Sequence, residues 1–368
     1  MTQQEITLLN LGSSLDDIAN IDPRGYGVCK LLYKAAREYT GEPLCVNGAK
    51  KLISTLREGS VVFIQTGFIL LPFMKPETDG VISSVLLANS LLKGLGAKPV
   101  IICPEDCIPA IKSLALCLKL SVSDSYDELK TAPLSISILS FTKDVSTAAK
   151  YADSLIDRYS PDAVISIECP GANEKGVYHN AVGINVTDSE AKQDILFEKL
   201  QKMGILNVAI GDLGNETGMG AIGEYIKNNI PYAGKNACRC GCGGGICART
   251  KADNIITATV SDWGCYSLIA MLAYMLENAD IMHGAQLQKE LMETAVKNGL
   301  IDMNGKHIPA IDGFGVEITC TIVNLMKELV KSTLSLKEQC KTRNSAQVRR
   351  REHEKQFFPK NLLCTLHS

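Results

Sequence analysis

The stretch Ile210–Gly220, IGDLGNETGMG, joins a glycine-rich loop to two carboxylates and an amide: Asp212, Glu216 and Asn215. An apolar run precedes it and a helical pattern follows, the setting of a loop that offers backbone N–H groups to an anion. Yet the stretch has no lysine or arginine. Carboxylates beside a helix N-terminus suit a ligand of both signs, such as an amino acid, whose carboxylates meet N–H groups while its ammonium meets Asp or Glu. They equally suit a hard divalent ion, Mg2+ or Mn2+, for which Asp212, Asn215 and Glu216 are oxygen donors of the right type. A structural turn whose glycines permit positive φ is the third reading, and spacing does not choose among the three.

Polar residues gather in the same way after other apolar runs. Thr66 and Gly67 follow VVFIQ, with Glu77-Thr78-Asp79-Gly80 further on. Glu168 follows AVISI and leads into CPGANEKGVYHNAVG, which holds Tyr178, His179 and Asn180; Ser261, Asp262 and Trp263 follow ITATV. Each has an ordinary structural alternative: Thr78 or Asp79 capping the helix that follows, His179 on the surface, Asp262 as a cap beside a packed Trp263. Their recurrence at one kind of place favours a common site.

A second group is CRCGCGGGICART, with Cys238, Cys240, Cys242 and Cys247 within ten residues. Four thiolates can close a tetrahedral zinc site, but C-x-C-x-C differs from the usual knuckle spacing, and iron–sulfur spacing is absent too. A glycine-rich turn with small buried cysteines, a metal site and redox-active thiols all remain open. The nearest histidines along the chain are His179 and His283.

The elements that must hold these residues follow from periodicity. Ser60–Phe68, Lys98–Cys103, Asp162–Glu168, Ile205–Asp212 and Asn254–Val260 read as buried strands; Gly80–Gly96, Ala148–Pro161, Ile195–Gly204, Met219–Ile230 and Cys265–Ala279 read as helices. Continuous apolar strands alternating with helices predict an α/β fold, a mainly parallel sheet with helices on both faces. In such sheets ligands bind outside the carboxyl ends of the strands, so the polar loops should line one acidic pocket there. No repeat or linker divides the chain. Residues 1–335 read as one large domain, and 336–368 as a basic polar tail, helical or disordered.

The net charge of −2 and the scarcity of aromatic residues (5%) argue against a nucleic-acid partner. The apolar runs are too short to span a bilayer. The first residues lack a basic leader, which predicts a cytoplasmic location and leaves most of the fourteen cysteines reduced and buried. The expected partner is a small molecule; the oligomeric state is not legible.

Taken in order, TGF (Thr66–Phe68), ETDG (Glu77–Gly80), SIECPG (Ser166–Gly171), YHNAVGINV (Tyr178–Val186), GDLGNETGMG (Gly211–Gly220) and SDWGCYSL (Ser261–Leu268) resemble the D-glutamate cyclase family, in its C-terminal domain. The likeness runs from about Asp16 to Val330, and the Gly-Asn-Glu loop is its most specific part. The better-known eukaryotic relatives are mitochondrial and carry a further N-terminal domain that is not read here; the tail after about Ser335 also departs from the family pattern.

The resemblance implies a hydro-lyase that converts D-glutamate to 5-oxo-D-proline and water. That chemistry needs a base for the ammonium and an acid or a metal for the γ-carboxylate. On this reading Asp212 or Glu216 binds the ammonium and takes its proton, and Glu168 or Asp79 serves as acid or metal ligand. N–H groups of Gly80 and of the loop containing Gly214 and Gly218 hold carboxylate oxygens. Thr66, Gly67, Tyr178, Asn180, Asn215 and Asp262 orient the substrate. An acidic pocket repels a dicarboxylate unless a divalent ion compensates. Two alternatives therefore stand: a metal-dependent hydrolase or phosphatase of a small phosphorylated metabolite, and a non-catalytic amino-acid-binding protein.

Overall fold

The computed structural model describes residues 1–230 and 238–357, with side chains as far as residue 339. In chain order the strands are β1 (Val61–Thr66), β2 (Ile69–Leu70), β3 (Lys75–Pro76), β4 (Lys98–Cys103), β5 (Ser121–Val122), β6 (Ser135–Ser140), β7 (Ala163–Ile167), β8 (Leu206–Gly211), β9 (Asn254–Thr257), β10 (Ala310–Ile311) and β11 (Phe314–Gly315). The helices are α1 (Gln3–Ala19), α2 (Val28–Thr40), α3 (Leu44–Thr55), α4 (Val81–Leu95), α5 (Ile108–Cys117), α6 (Tyr126–Thr131), α7 (Val145–Tyr159), α8 (Gln193–Lys202), α9 (Gly223–Asn229), α10 (Ser261–Met275), α11 (Ala285–Lys297) and α12 (Val316–Phe357).

Seven strands form one sheet in the order β5-β6-β4-β1-β7-β8-β9, with every neighbouring pair parallel. Every residue of β1 and of β7 is buried, as a sheet covered on both faces requires. Phe63 meets Tyr159 of α7 edge-on, ring centroids 5.8 Å apart. Thr66, Ile167, Ile210 and Ile256 stand side by side across the register. Phe63, three residues before Thr66, points to the opposite face from it. On the face of Thr66, Gly264 of α10 lies against Ile210 and Ile256, and Gly48 of α3 lies near Ile256.

The parallel α/β architecture is therefore the one the alternation of patterns predicts. Boundaries differ where the chain leaves the ladder for another partner. β9 stops at Thr257: Ala258 N–H makes the last bond to β8, at Gly211 O, and Thr259 N–H leaves the ladder for Ala19 O, and α10 begins at Ser261, four residues before the expected start. A tight turn at Gly220–Ile222 delays α9 to Gly223. The three N-terminal helices and strands β5 and β6 were not assigned from periodicity. α12 buries Ile322, Met326 and Val330 on one stripe and then continues as a helix through the first part of the basic tail, to Phe357. Residues 231–237 and 358–368 lie outside the described residues.

The order of strands matters for function. From β1 the sheet grows one way through β4, β6 and β5, and the other way through β7, β8 and β9. The carboxyl ends of β1 and β7 flank the point of reversal, where doubly wound sheets open a crevice.

Candidate active site

Two helices start at that crevice, and neither is capped by its own N-cap side chain: α4 follows Gly80 and α10 follows Val260. The caps are exchanged. Asp79 accepts from Ser261 N (3.0 Å) and Asp262 N (2.8 Å) at the head of α10. Asp262 accepts from Gly80 N (2.9 Å) and Ser83 N (3.2 Å) at the head of α4, and from the Tyr266 hydroxyl (2.9 Å). Burial pushes the Asp79 carboxyl well above its usual range, and repulsion from Asp262 adds to it; burial lifts Asp262 to about 6. Gly80 has φ +75°, and a Cβ there would stand 2.6 Å from Glu168 Cβ and 2.8 Å from Ile167 O, so only glycine lets α4 begin so close to β7.

The glycine-rich loop answers its own charge. Glu216 folds back, and its carboxylate accepts from Asp212 N (3.2 Å), Leu213 N (2.9 Å) and Gly214 N (2.7 Å). Gly218 N donates to Thr250 Oγ1 and Gly220 N to Thr250 O. The N–H groups of Gly80, Gly214, Gly218 and Gly220 are thus already engaged within the protein and do not form an open cradle for a substrate carboxylate or a phosphate.

A cavity of about 210 Å3 opens at the carboxyl ends of β7 and β8, smaller than the about 300–1,000 Å3 of pockets for drug-sized ligands. Five carboxylates line it: Glu77, Asp79, Glu168, Asp212 and Asp312, together with Asn180 and Asn215. Oxygens of Asp79, Asp212 and Asp312 lie within 4.8 Å of one another, as do those of Glu168, Asp212 and Glu216, so Asp212 belongs to both groups. Burial, then mutual repulsion, raises Glu77, Glu168 and Asp212 well above ordinary carboxylates. Burial lifts Asp312 to about 6 against the pull of Arg24, whose guanidinium pairs with it at 2.7 Å. Glu168 sits just beyond β7 with φ +44°, a sparsely populated conformation for a side chain of this size, and accepts from Ser261 Oγ at 2.6 Å. A larger hollow of about 1160 Å3 lies at the other end of the sheet, beside Asp162, Leu206 and Asn254, where parallel sheets do not build their ligand sites.

Of the residues singled out in the sequence, Asp79, Glu168, Asn180, Asp212 and Asn215 line this cavity. Thr66, Gly67, Gly80, Gly214, Glu216, Gly218 and Asp262 lie behind that lining. Tyr178 lies behind it too: its hydroxyl is 2.5 Å from Asp194 Oδ1, and its ring packs with Phe68, Ala172 and Val186. Arg24 and Asp312 were missed, and Glu77 was named only within the Glu77–Gly80 stretch, without a role of its own. Asp312 had a local signal, an Asp-Gly pair between apolar residues: Asp312 (φ +49°) and Gly313 (φ +84°) form the tight turn of the β10–β11 hairpin. Arg24 lies in a Pro-Arg-Gly loop with no periodicity to mark it.

The cysteine stretch divides. Cys238, Cys240 and Cys242 gather with His179, all four donor atoms within 4.8 Å of one another. Cys247 is not among them. Its buried sulfur faces Gly223 of α9, and burial pushes its thiol up to about 12. The histidine that seemed remote along the chain is brought in by folding, and the fourth cysteine is carried away.

Among the described residues no helix is long and apolar enough to cross a membrane. The chain is 29% identical over 285 residues to the human protein named D-glutamate cyclase, mitochondrial; the aligned part covers 75% of this chain and 40% of that relative, so the chain spans less than half its length. Over residues 15–330 the sequence matches the family described as D-glutamate cyclase-like, C-terminal, and the chain belongs to that family.

Proposed function

We propose that the cavity binds D-glutamate and closes it to 5-oxo-D-proline with loss of water. The observation that carries this reading is the convergence of Glu77, Asp79, Glu168, Asp212 and Asp312 on one small cavity at the sheet's point of reversal, with the Arg24 cation against Asp312. Family membership and the name of the human relative support the same chemistry.

In the reaction the α-amine attacks the γ-carboxyl carbon, one C–N bond forms, one C–O bond breaks, and two protons travel from nitrogen to the departing oxygen. Burial and neighbouring carboxylates raise the proton affinity of Asp212 above that of an ordinary carboxylate, which makes it a stronger base, and Asp212 takes that part. Glu168, whose protonated form is favoured by burial and by its neighbour Glu216, supplies the proton to the departing oxygen, and Ser261 fixes its orientation. Both belong to one carboxylate group, so protons received by Asp212 are returned to Glu168 over a short path. Holding the substrate in its folded rotamer contributes through proximity.

The acid lining suits the ammonium but opposes two substrate carboxylates. The donor set fits a hard divalent ion: buried carboxylate oxygens that repel one another, and an Asn215 Oδ1 with no partner. Asp212, with Asp79 and Asp312, would hold Mg2+ or Mn2+, which would supply Lewis-acid neutralisation of the γ-carboxylate.

The test is to incubate the purified, metal-stripped chain with D- or L-glutamate, with and without Mg2+ or Mn2+, and follow oxoproline by chiral chromatography. D-selective product that disappears in Asp212→Asn is the expected result. A folded chain that binds glutamate without turning it over under any of these conditions would replace the lyase by an amino-acid-binding protein.

A further inference from the structure

We propose that His179, Cys238, Cys240 and Cys242 bind one zinc ion that fastens the rim of the cavity to the segment 238–242. His179 Nε2 lies 3.1 Å from Cys240 Sγ and 3.8 Å from Cys242 Sγ; Cys238 Sγ lies 3.5 Å from Cys240 Sγ and 3.4 Å from Cys242 Sγ. Ligands on a tetrahedron with Zn–S of about 2.3 Å and Zn–N of about 2.0–2.1 Å stand roughly 3.5–3.8 Å apart. Four of the six separations among these donors are thus 3.1–3.8 Å and all are within 4.8 Å, close to the spacing that ligands of one ion require.

The surrounding chain is built for thiolates. Gly241 and Gly243 have φ of +75° and +74°, and these reversals let alternate cysteines converge. Cys238 and Cys242 stand in C-x3-C relation, within the range of zinc knuckles, and Cys240 contributes from between them. Cys242 Sγ accepts from Gly244 N and from Asn173 Nδ2, each at 3.4 Å, contacts that stabilise a metal-bound sulfur from outside the first shell. Three soft sulfurs and an imidazole select zinc over the hard ions suited to the carboxylate cavity. With four protein ligands the site is closed, so its role is structural.

What it would fasten is specific. His179 is followed by Asn180, Ala181 and Val182, which line the cavity. The His179 carbonyl accepts from Asn215 Nδ2 at 3.1 Å, joining this rim to the glycine-rich loop. Arg239 N donates to Gly183 O at 2.9 Å, so backbone pairing already draws the two segments together. The ion completes a clasp of which the protein supplies the hinge. The site stands whether or not the cavity turns over glutamate.

The experiment uses the full chain purified under reducing conditions. Zinc content is measured by mass spectrometry after removal of loosely held metal, and the stripped chain is titrated with cobalt(II). The expected result is one zinc per chain, and with cobalt the sulfur-to-metal charge-transfer and visible bands of a tetrahedral thiolate site. Cys240→Ser changes an exposed side chain and burdens no core; it should bind zinc at least about tenfold more weakly in chelator competition and lose intensity in the cobalt bands. Cys247→Ser should keep the full zinc content. The proposal is overturned if the folded wild type retains no zinc after loading, if Cys240→Ser binds it as tightly as wild type, or if the isolated chain carries an iron–sulfur chromophore instead.

Discussion

Asp79 and Asp262 each cap the other's helix: the carboxylate that precedes α4 closes the first turn of α10, and the carboxylate in the first turn of α10 closes α4. Asp16 of α1 does the same for α3, accepting from Leu44 N (2.6 Å) and Cys45 N (3.1 Å), where the N-cap residue is Pro43. Three buried helix heads are thus satisfied from elsewhere in the fold. This couples secondary structure to tertiary structure at the cavity, because neither α4 nor α10 has its N-terminus completed until both are docked.

Exchange of caps makes a crossed prediction. Asp79→Ala should speed amide exchange at Ser261 and Asp262 in α10, and Asp262→Ala should do so at Ser83 in α4, while Gly80 N keeps Asp79 as a second acceptor at 2.9 Å. Hydrogen exchange read by mass spectrometry on peptides from the two helix heads decides it; faster exchange confined to the mutated segment would mean each aspartate serves its own helix. Asp79→Ala leaves the Ser261 and Asp262 N–H groups unpaired, and Asp262→Ala leaves the Ser83 N–H and the Tyr266 hydroxyl without this acceptor; at about 1–3 kcal/mol apiece, urea unfolding should show a loss of roughly 2–4 kcal/mol for each.

Glu216 was expected to act as base or metal ligand, but its carboxylate is the anchor on which the Asp212–Gly214 backbone turns. Glu216→Gln keeps one acceptor oxygen and should retain oxoproline formation within about tenfold, less than the roughly 10²–10⁴-fold that loss of a general base costs. Glu216→Ala orphans three N–H groups and should cost on the order of 3 kcal/mol of stability. Comparing the two variants in activity and in denaturant midpoint separates loop support from proton transfer; Gln as inactive as Ala, in a chain of wild-type stability, would return Glu216 to the chemistry.

His283 gives a pH dependence whose sign is fixed by burial. It is held neutral, its pKa lowered to about 4 by burial, with Gln288 at 2.8 Å, Tyr266 against its ring and the Lys327 charge nearby. The folded value lies below the unfolded 6.5, so the unfolded chain binds more protons between them. The stability contributed by a neutral His283 is complete above pH 6.5 and is lost as pH falls toward 4. At pH 5 the loss is about 2 kcal/mol. His283→Gln should remove that part: urea unfolding at pH 7.5 and pH 5 should show the variant losing about 2 kcal/mol less than wild type between the two. Equal losses would mean that the imidazole is solvated.

The sequence was legible where the physics is local. α4 lies between Gly80 and Gly96, and β8 within the apolar run before Asp212, as periodicity and glycine placement indicate. Glu168, Asp212 and Asn180 could be found because each follows a strand or lies in the loop after one. What could not be read is what the fold brings together from afar. The caps of α4 and α10 come from about 180 residues away along the chain, Arg24 meets Asp312 from the far end of the chain, and His179 joins cysteines about sixty residues away. A search for local caps finds Pro43, Gly80 and Val260 at the helix heads and stops there, and the β5–β6 edge is too short and too mixed in pattern to stand out.

Asp212 is the residue at which stability and function should part. Its carboxylate is buried against Glu168, Asp312, Glu216 and Asp79, and burial followed by their repulsion disfavours its ionised form. Asparagine has nearly the same shape and no charge. Asp212→Asn therefore relieves repulsion while removing the group proposed as base, and in the metal-stripped chain it should unfold at the same temperature as wild type or a few degrees above it. Loss of a general base costs roughly 10²–10⁴-fold, so oxoproline formation should fall by at least about a hundredfold. If Asp212 also holds Mg2+ or Mn2+, these ions should raise the unfolding temperature of wild type and not that of the variant. Thermal unfolding with and without the ion, read beside product formation, tests both parts. A variant that is less stable than wild type without metal would show that the carboxylate is kept for the fold, and the cluster would then need a cation already supplied by the protein, with Arg24 the group in place to supply it.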